Sequence, residues 1–304
     1  MQVSRMNTTR PPISRALIVI ILSGLLLMGC GADQSGDSSS SQIDAAATRP
    51  SANNRGDIPA DAEGREVISE SMPYAEVGDE LVYGYFVAPA DMFEPLPAVI
   101  MIHEWWGLDN NVRAKADLLA AAGYIVFAVD LFGGKTATTP SEARALMLSV
   151  VEDPESASEK LRSAYRFVSE TAGAPAVATL GWRFGGTWAL NTALLLPDDI
   201  AAVVIYYAQV TADEEKLGPI SASVLGLFAG DDSSVKKESV EAFRGALQRL
   251  RKDHDIQIYD GVRQGFAIKD ATNYDRKAAD DAWQRSLEFL QRHLVNQSDA
   301  GGAS

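Results

Sequence analysis

From Tyr74 onward, short apolar runs alternate with segments of helical period, and this alternation constrains the fold more than any other feature. Leu81–Ala88, Ala98–Ile102, Ile125–Val129, Val177–Leu180, Val203–Tyr206, Val224–Phe228 and Ile256–Tyr259 are rich in β-branched and aromatic residues and too short for helices. Helical spacing covers Val112–Ala122 and, approximately, residues 140–151, 154–171, 185–196, 235–252 and 275–295. Strands that alternate with helices pair in parallel through crossovers. The pattern implies an α/β domain with a mostly parallel central sheet and helices on both faces.

Local signals agree with this reading. Gly123 closes the first helix as a C-terminal cap. Thr139-Pro140 and Asp153-Pro154 each place a capping side chain before a proline at the first helical position. In a sheet of this kind the active site lies outside the carboxyl ends of the strands. The loops to search are therefore residues 103–111, 130–139, 181–186, 230–235 and 261–267.

One loop stands out. Gly181-Trp182-Arg183-Phe184-Gly185-Gly186 joins a strand to a helix, with small residues on both sides of a sharp turn. This is the frame of a nucleophile elbow, which pushes one side chain into the cleft. The apex residue, expected as Ser or Cys, is Arg183.

Together with Ile102-His103-Glu104-Trp105-Trp106-Gly107-Leu108 and Val129-Asp130-Leu131-Phe132-Gly133-Gly134, the elbow resembles the dienelactone hydrolase family of α/β-hydrolases. Tyr259-Asp260-Gly261-Val262-Arg263-Gln264-Gly265-Phe266-Ala267, and Tyr274 leading to Ala282-Trp283, extend the likeness over about residues 74–294. The resemblance implies the α/β-hydrolase fold, ester or lactone substrates, and a triad of Cys (sometimes Ser), His and Asp. The triad acid maps to Asp232, chosen over Asp231 by its spacing from Phe228 and Val235. The base maps to Gln264 and the nucleophile to Arg183. The resemblance also implies backbone oxyanion donors at Trp105 and Phe184, with Glu104 as the pocket carboxylate.

The two departures change the chemistry. An arginine does not lose its proton in a protein, so it offers no nucleophilic lone pair. A glutamine amide does not titrate and cannot serve as a general base. The chain has three histidines, and none replaces the base: His103 lies in the first strand-end loop, and His254 and His293 lie far from the cleft in this topology. Arg183 is expected to be held by Glu104, Asp232 or both in forked hydrogen bonds, because an unpaired buried guanidinium is costly.

The N-terminus reads as an address. Arg5, Arg10 and Arg15 precede an apolar run from Ala16 to Met28, with no acidic residue before Cys30. The run is too short for a spanning helix and suits a signal peptide. Leu27-Met28-Gly29-Cys30 looks like a bacterial lipobox. The expectation is a lipoprotein signal over 1–29, a lipidated Cys30 opening a tether over 30–65, the hydrolase-like domain over 66–296, and a tail over 297–304. The chain would then be exported and anchored to a membrane through Cys30. Gly31 after the cysteine favours an outer membrane if the host is Gram-negative.

Acidic residues outnumber basic ones 41 to 27, a net charge of −14, which argues against nucleic acid as a partner. Three histidines and one cysteine leave no material for a soft metal site, and no cofactor or metal is implied. A small molecule in the cleft is the natural ligand, and the oligomeric state is left open. Two readings follow: a non-catalytic, membrane-anchored family member, or an active ester or lactone hydrolase, either by an atypical mechanism in which Asp232 or Glu104 activates water or as a sequence altered from an active parent. A third, a partner-binding lipoprotein using Trp105, Trp106, Trp182, Trp188 and Trp283, is weaker, because such residues more often line cores and pockets.

Overall fold

The computed structural model describes residues 65–269 and 271–295. The expected signal peptide, Cys30, nearly all of the tether and the tail lie outside the described residues. In chain order the elements are β1 (Val67–Val77), β2 (Glu80–Pro89), β3 (Ala98–Ile102), α1 (Asn110–Ala121), β4 (Ile125–Val129), α2 (Pro140–Glu152), α3 (Pro154–Arg166), β5 (Val177–Trp182), α4 (Phe184–Leu195), β6 (Ala202–Tyr206), α5 (Glu214–Leu217), β7 (Ser223–Ala229), α6 (Lys237–Arg249), β8 (His254–Tyr259) and α7 (Arg276–Leu290). Single π-helical turns, Phe167–Thr171 and Gln291–Val295, extend α3 and α7.

The eight strands form one sheet in the order β1-β2-β4-β3-β5-β6-β7-β8. β1–β2 and β2–β4 pair antiparallel, and every other neighbour is parallel. Successive residues of a strand face opposite sides. In the buried strands both faces are therefore apolar, and two cores result. One takes Ile100, Phe127 and Val203 against α3, α4 and α6 through Leu161, Ala189 and Phe243. The other takes Val99, Val126 and Val204 against α1 and α7 through Leu119, Ala282 and Leu290.

Caps act where the sequence places them. Thr139 and Glu142 form a reciprocal capping box at the start of α2. The Asp153 carboxylate accepts from the Ser156 N–H at the start of α3. Gly123 follows α1 with φ +105°. One strand was not anticipated: β1, an edge strand whose side chains are mostly exposed.

Candidate functional site

β3, β5, β6, β7 and β8 are consecutive neighbours, and their carboxyl ends present one row of loops. Along this row lie Glu104 and Trp105 after β3, Arg183 after β5, Tyr207 after β6, Asp232 after β7 and Gln264 after β8. The topology thus brings all the sequence-selected site residues except Cys30, which lies outside the described residues, to one end of the sheet.

The elbow is built by backbone crowding. Arg183 has φ 50° and ψ −116°, a strained conformation for a side-chain-bearing residue. Its N–H donates to the Tyr206 carbonyl at 3.0 Å, which ties the turn to β6. A Cβ on Gly181 would collide with the Gly185 backbone, and a Cβ on Gly185 with the carbonyl oxygens of Ile102 and His103. Glycine at these two positions is what lets α4 start this close to β3 and β5. Arg183 caps α4 without a side-chain bond, and Phe184 is its first residue. Among the described residues, neither the Phe184 nor the Trp105 N–H makes a backbone hydrogen bond, so both donors are open.

His103 has a structural task. It is fully buried. Its Nε2 accepts from the Leu131 N–H at 3.0 Å, which leaves the proton on Nδ1 to donate to the Glu104 carbonyl at 2.6 Å. Burial pushes its pKa down, so the ring is held neutral. Phe132 packs edge-on against it and Phe184 stacks at 6.3 Å. The ring pins the loop carrying Glu104 and Trp105 to the loop after β4. There Asp130 accepts from the Phe132 and Gly134 N–H groups.

Asp232 is buried, while its neighbour Asp231 is exposed. One oxygen of Asp232 accepts from the Ser234 N–H at 2.7 Å and the Val235 N–H at 2.9 Å. The other, Oδ2, has no partner. The Gln264 amide donates to the Tyr207 carbonyl at 3.2 Å. Asn273 in turn donates to the Gln264 carbonyl.

The expected pairing of Arg183 is not formed. Among the described residues no ion pair or side-chain hydrogen bond joins it to Glu104 or Asp232, and its Nε, Glu104 Oε2 and Asp232 Oδ2 are all left without partners. The physical reason is exposure. The Arg183 side chain is only half-buried, so water at the cleft mouth relieves part of the desolvation that would otherwise force pairing. Its charge still reaches Glu104 and offsets part of the rise that burial imposes on that carboxyl's pKa.

Two residues of the site were not foreseen. Tyr207 is fully buried with φ 34°, and its hydroxyl has no partner. Burial raises its pKa far above the ordinary tyrosine value, with the charges of Glu104, Arg183 and Asp232 all felt there. Its signal was positional: it is the first residue past the end of β6. Lys115 sits at helical spacing from the buried Val112 on α1, with its ammonium 4.1 Å from the centre of the Trp182 ring. Burial lowers its pKa, opposed by Glu104 and Asp109. Glu104, Asp109, Lys115 and Trp182 line a small cavity of about 20 Å³. Among the described residues no cluster of His, Cys, Asp or Glu is arranged to hold a metal ion.

Of the tryptophans, Trp106, Trp182 and Trp188 are buried, and Trp105 and Trp283 are half-buried. The basic face of α6 is balanced locally, with Arg244 on Glu241 and Arg249 on Glu214.

A doubly covered sheet, a glycine-framed elbow at the end of β5 and an acid after β7 define an α/β-hydrolase. Residues 82–294 match the dienelactone hydrolase family, and the chain belongs to that family. It is 28% identical over 206 residues to Protein usf of Aquifex pyrophilus, covering 66% of this chain and 89% of that one. Among solved structures, the dienelactone hydrolase-like promiscuous phosphotriesterase P91 from metagenomic libraries superposes with a TM-score of 0.68 at 20% identity. That match covers 75% of this chain and 99% of P91. A bacterial brefeldin A esterase superposes with a TM-score of 0.57 at 17% identity, covering 80% of each chain. At these identities the two structures speak to the fold alone.

Proposed function

We propose that the chain is a non-catalytic member of the dienelactone hydrolase family that binds a small molecule in the inherited cleft. The observation that carries this reading is the elbow itself. Its strained apex is kept, and the side chain there is a guanidinium. At the base position, the Gln264 amide is engaged with a backbone carbonyl rather than with Asp232. A triad needs a nucleophile in contact with a base, and the base in contact with an orienting acid. Neither contact has the chemistry to form here.

The test is hydrolysis of a chromogenic acetate ester and a small lactone by the full chain in detergent micelles, beside Arg183→Cys/Gln264→His. The wild type is expected to stay within the roughly 10³–10⁴-fold residual over water that an oxyanion hole and binding alone supply. The double variant is expected to exceed it. Turnover by the wild type that Arg183→Ala lowers would overturn the reading.

A specific observation favours a second reading, hydrolysis through a carboxylate-activated water. Glu104 Oε2 has no partner, and the cavity beside it, about 20 Å³, has room for one water. Arg183 would polarise the carbonyl in that mechanism. Glu104→Gln would then abolish turnover.

The anchor belongs to the same proposal. Arg5, Arg10 and Arg15, the Ala16–Met28 run and the placement of Cys30 support export and lipidation. Cys30→Ser is expected to lose incorporation of a labelled fatty acid and to leave the membrane fraction.

A further inference from the structure

Five buried side-chain polar atoms among the described residues lack a hydrogen-bond partner: Glu104 Oε2, Trp105 Nε1, Arg183 Nε, Tyr207 Oη and Asp232 Oδ2. All five belong to loops at the carboxyl ends of β3, β5, β6 and β7, which are consecutive in the sheet. Orphaned buried polar groups are rare and each costs free energy, so their confinement to one row of loops marks a region where something else supplies the partners. Glu104, Tyr207 and Asp232 are each more than nine-tenths buried.

The orphans are of two kinds. Arg183 Nε and Trp105 Nε1 are donors, and the open N–H groups of Trp105 and Phe184 add two more. Asp232 Oδ2 is an acceptor, and Tyr207 Oη serves either way. A matching ligand brings acceptors to one end and a donor to the other. The cleft carries one guanidinium flanked by two carboxyls. A single carboxylate is matched in charge and in fork geometry by the Arg183 guanidinium. Burial raises the pKa of Glu104, so its carboxyl holds a proton more readily and can then donate to an anion instead of repelling it. An ammonium as the donor would face like charge from Arg183 and Lys115, which leaves a hydroxyl. Trp105 and Phe184, both half-buried, adjoin Glu104 and Arg183 in sequence and supply the apolar side chains of these two loops.

The geometry points to a hydroxy-monocarboxylate as the ligand. Its carboxylate sits on Arg183 Nε and the N–H groups of Trp105 and Phe184. Its hydroxyl donates to Asp232 Oδ2, and its apolar body lies on Trp105 and Phe184. This rests on the non-catalytic reading: the cleft would retain a hydroxy acid, the product type of lactone opening, without making it.

Calorimetric titration of the full chain in detergent micelles with three probes tests this, with ester hydrolysis assayed on the same sample. Mandelate has the carboxylate, the hydroxyl and an aromatic body. Phenylacetate lacks the hydroxyl, and mandelamide lacks the charge. Mandelate is expected to bind about tenfold or more tighter than mandelamide and several-fold tighter than phenylacetate. Arg183→Gln is expected to erase the preference for mandelate over mandelamide, while Arg183→Lys, which keeps the charge, retains part of it. Equal affinity for mandelate and mandelamide, no binding of mandelate, or an unchanged preference in Arg183→Gln overturns the proposal. Equal affinity for mandelate and phenylacetate overturns the hydroxyl assignment. The wild-type probe series decides the matter even where a variant fails to fold. Ester turnover by the wild type above the residual of an oxyanion hole and binding alone, lowered by Arg183→Ala, would overturn the non-catalytic reading. A silent protein with no preference for the carboxylate would overturn this inference alone.

Discussion

Two polar clusters sit at the same end of the sheet and are built in opposite ways. At the corner formed by the loops after β3 and β4, His103 uses both ring nitrogens and Asp130 caps its own loop with both oxygens. Across the loops after β3, β5, β6 and β7, five polar atoms have no partner. The two clusters meet at Glu104, whose carbonyl serves the first and whose carboxyl belongs to the second. The contrast shows that the orphans are not a general looseness of packing. Where the protein needs only a scaffold, it satisfies its polar groups. Where the proposed ligand would sit, it leaves them open at a cost in stability.

Substitution should therefore hurt at the first cluster and be tolerated at the second. The largest effect is expected for His103→Ala, which orphans the Leu131 N–H and the Glu104 carbonyl and opens a cavity. Urea unfolding should show a loss of about 3 kcal/mol. A smaller loss would mean that the corner is less constrained than its bonds suggest.

The pH dependence sharpens the same comparison, because His103 and Glu104 act with opposite sign. His103 has a folded pKa below its ordinary value of 6.5. The unfolded chain therefore takes up the proton first, and the His103 contribution is complete above pH 6.5 and is lost as pH falls below it. Glu104 has a folded pKa above its ordinary value of 4.5. Its contribution is present below pH 4.5 and is lost as pH rises through the folded value. Unfolding curves should thus lose their decline below pH 6.5 in His103→Ala and their decline with rising pH above 4.5 in Glu104→Gln. At pH 8, Glu104→Gln is expected to raise stability by about 1 kcal/mol.

The smallest effect is expected for Tyr207→Phe. Removing a hydroxyl that has no partner should change stability by less than about 1 kcal/mol, in either direction, as read by the urea midpoint. A large loss there would break the comparison by revealing a partner for the hydroxyl in solution.

Much of the fold was legible because buried parallel strands carry continuous apolar runs. Ala98–Ile102 and Ile125–Val129 are buried at every position and were read within a residue of their ends. β1 was not legible for the converse reason. It pairs on one side only, and Glu70, Ser71, Pro73 and Glu76 give it neither an apolar run nor a clean alternation. The site loops were legible through their glycines, which record backbone crowding in the sequence. The state of Arg183 was not. Pairing depends on how much water reaches a side chain, and that is a property of the assembled cleft. Tyr207 was hidden because it follows an apolar strand directly and reads as its continuation, outside the loops marked by glycines, and Lys115 by looking like an ordinary surface lysine on a helix.

The elbow has a wider consequence. Its shape belongs to Gly181 and Gly185, and its chemistry belongs to one neighbouring side chain. The turn behaves as a socket whose fitting is interchangeable. A lineage can withdraw a nucleophile from such a socket and install a cation by changing a single residue, with the scaffold already in place to hold it. The same independence gives an engineer a position at which reactivity can be written without redesigning the fold.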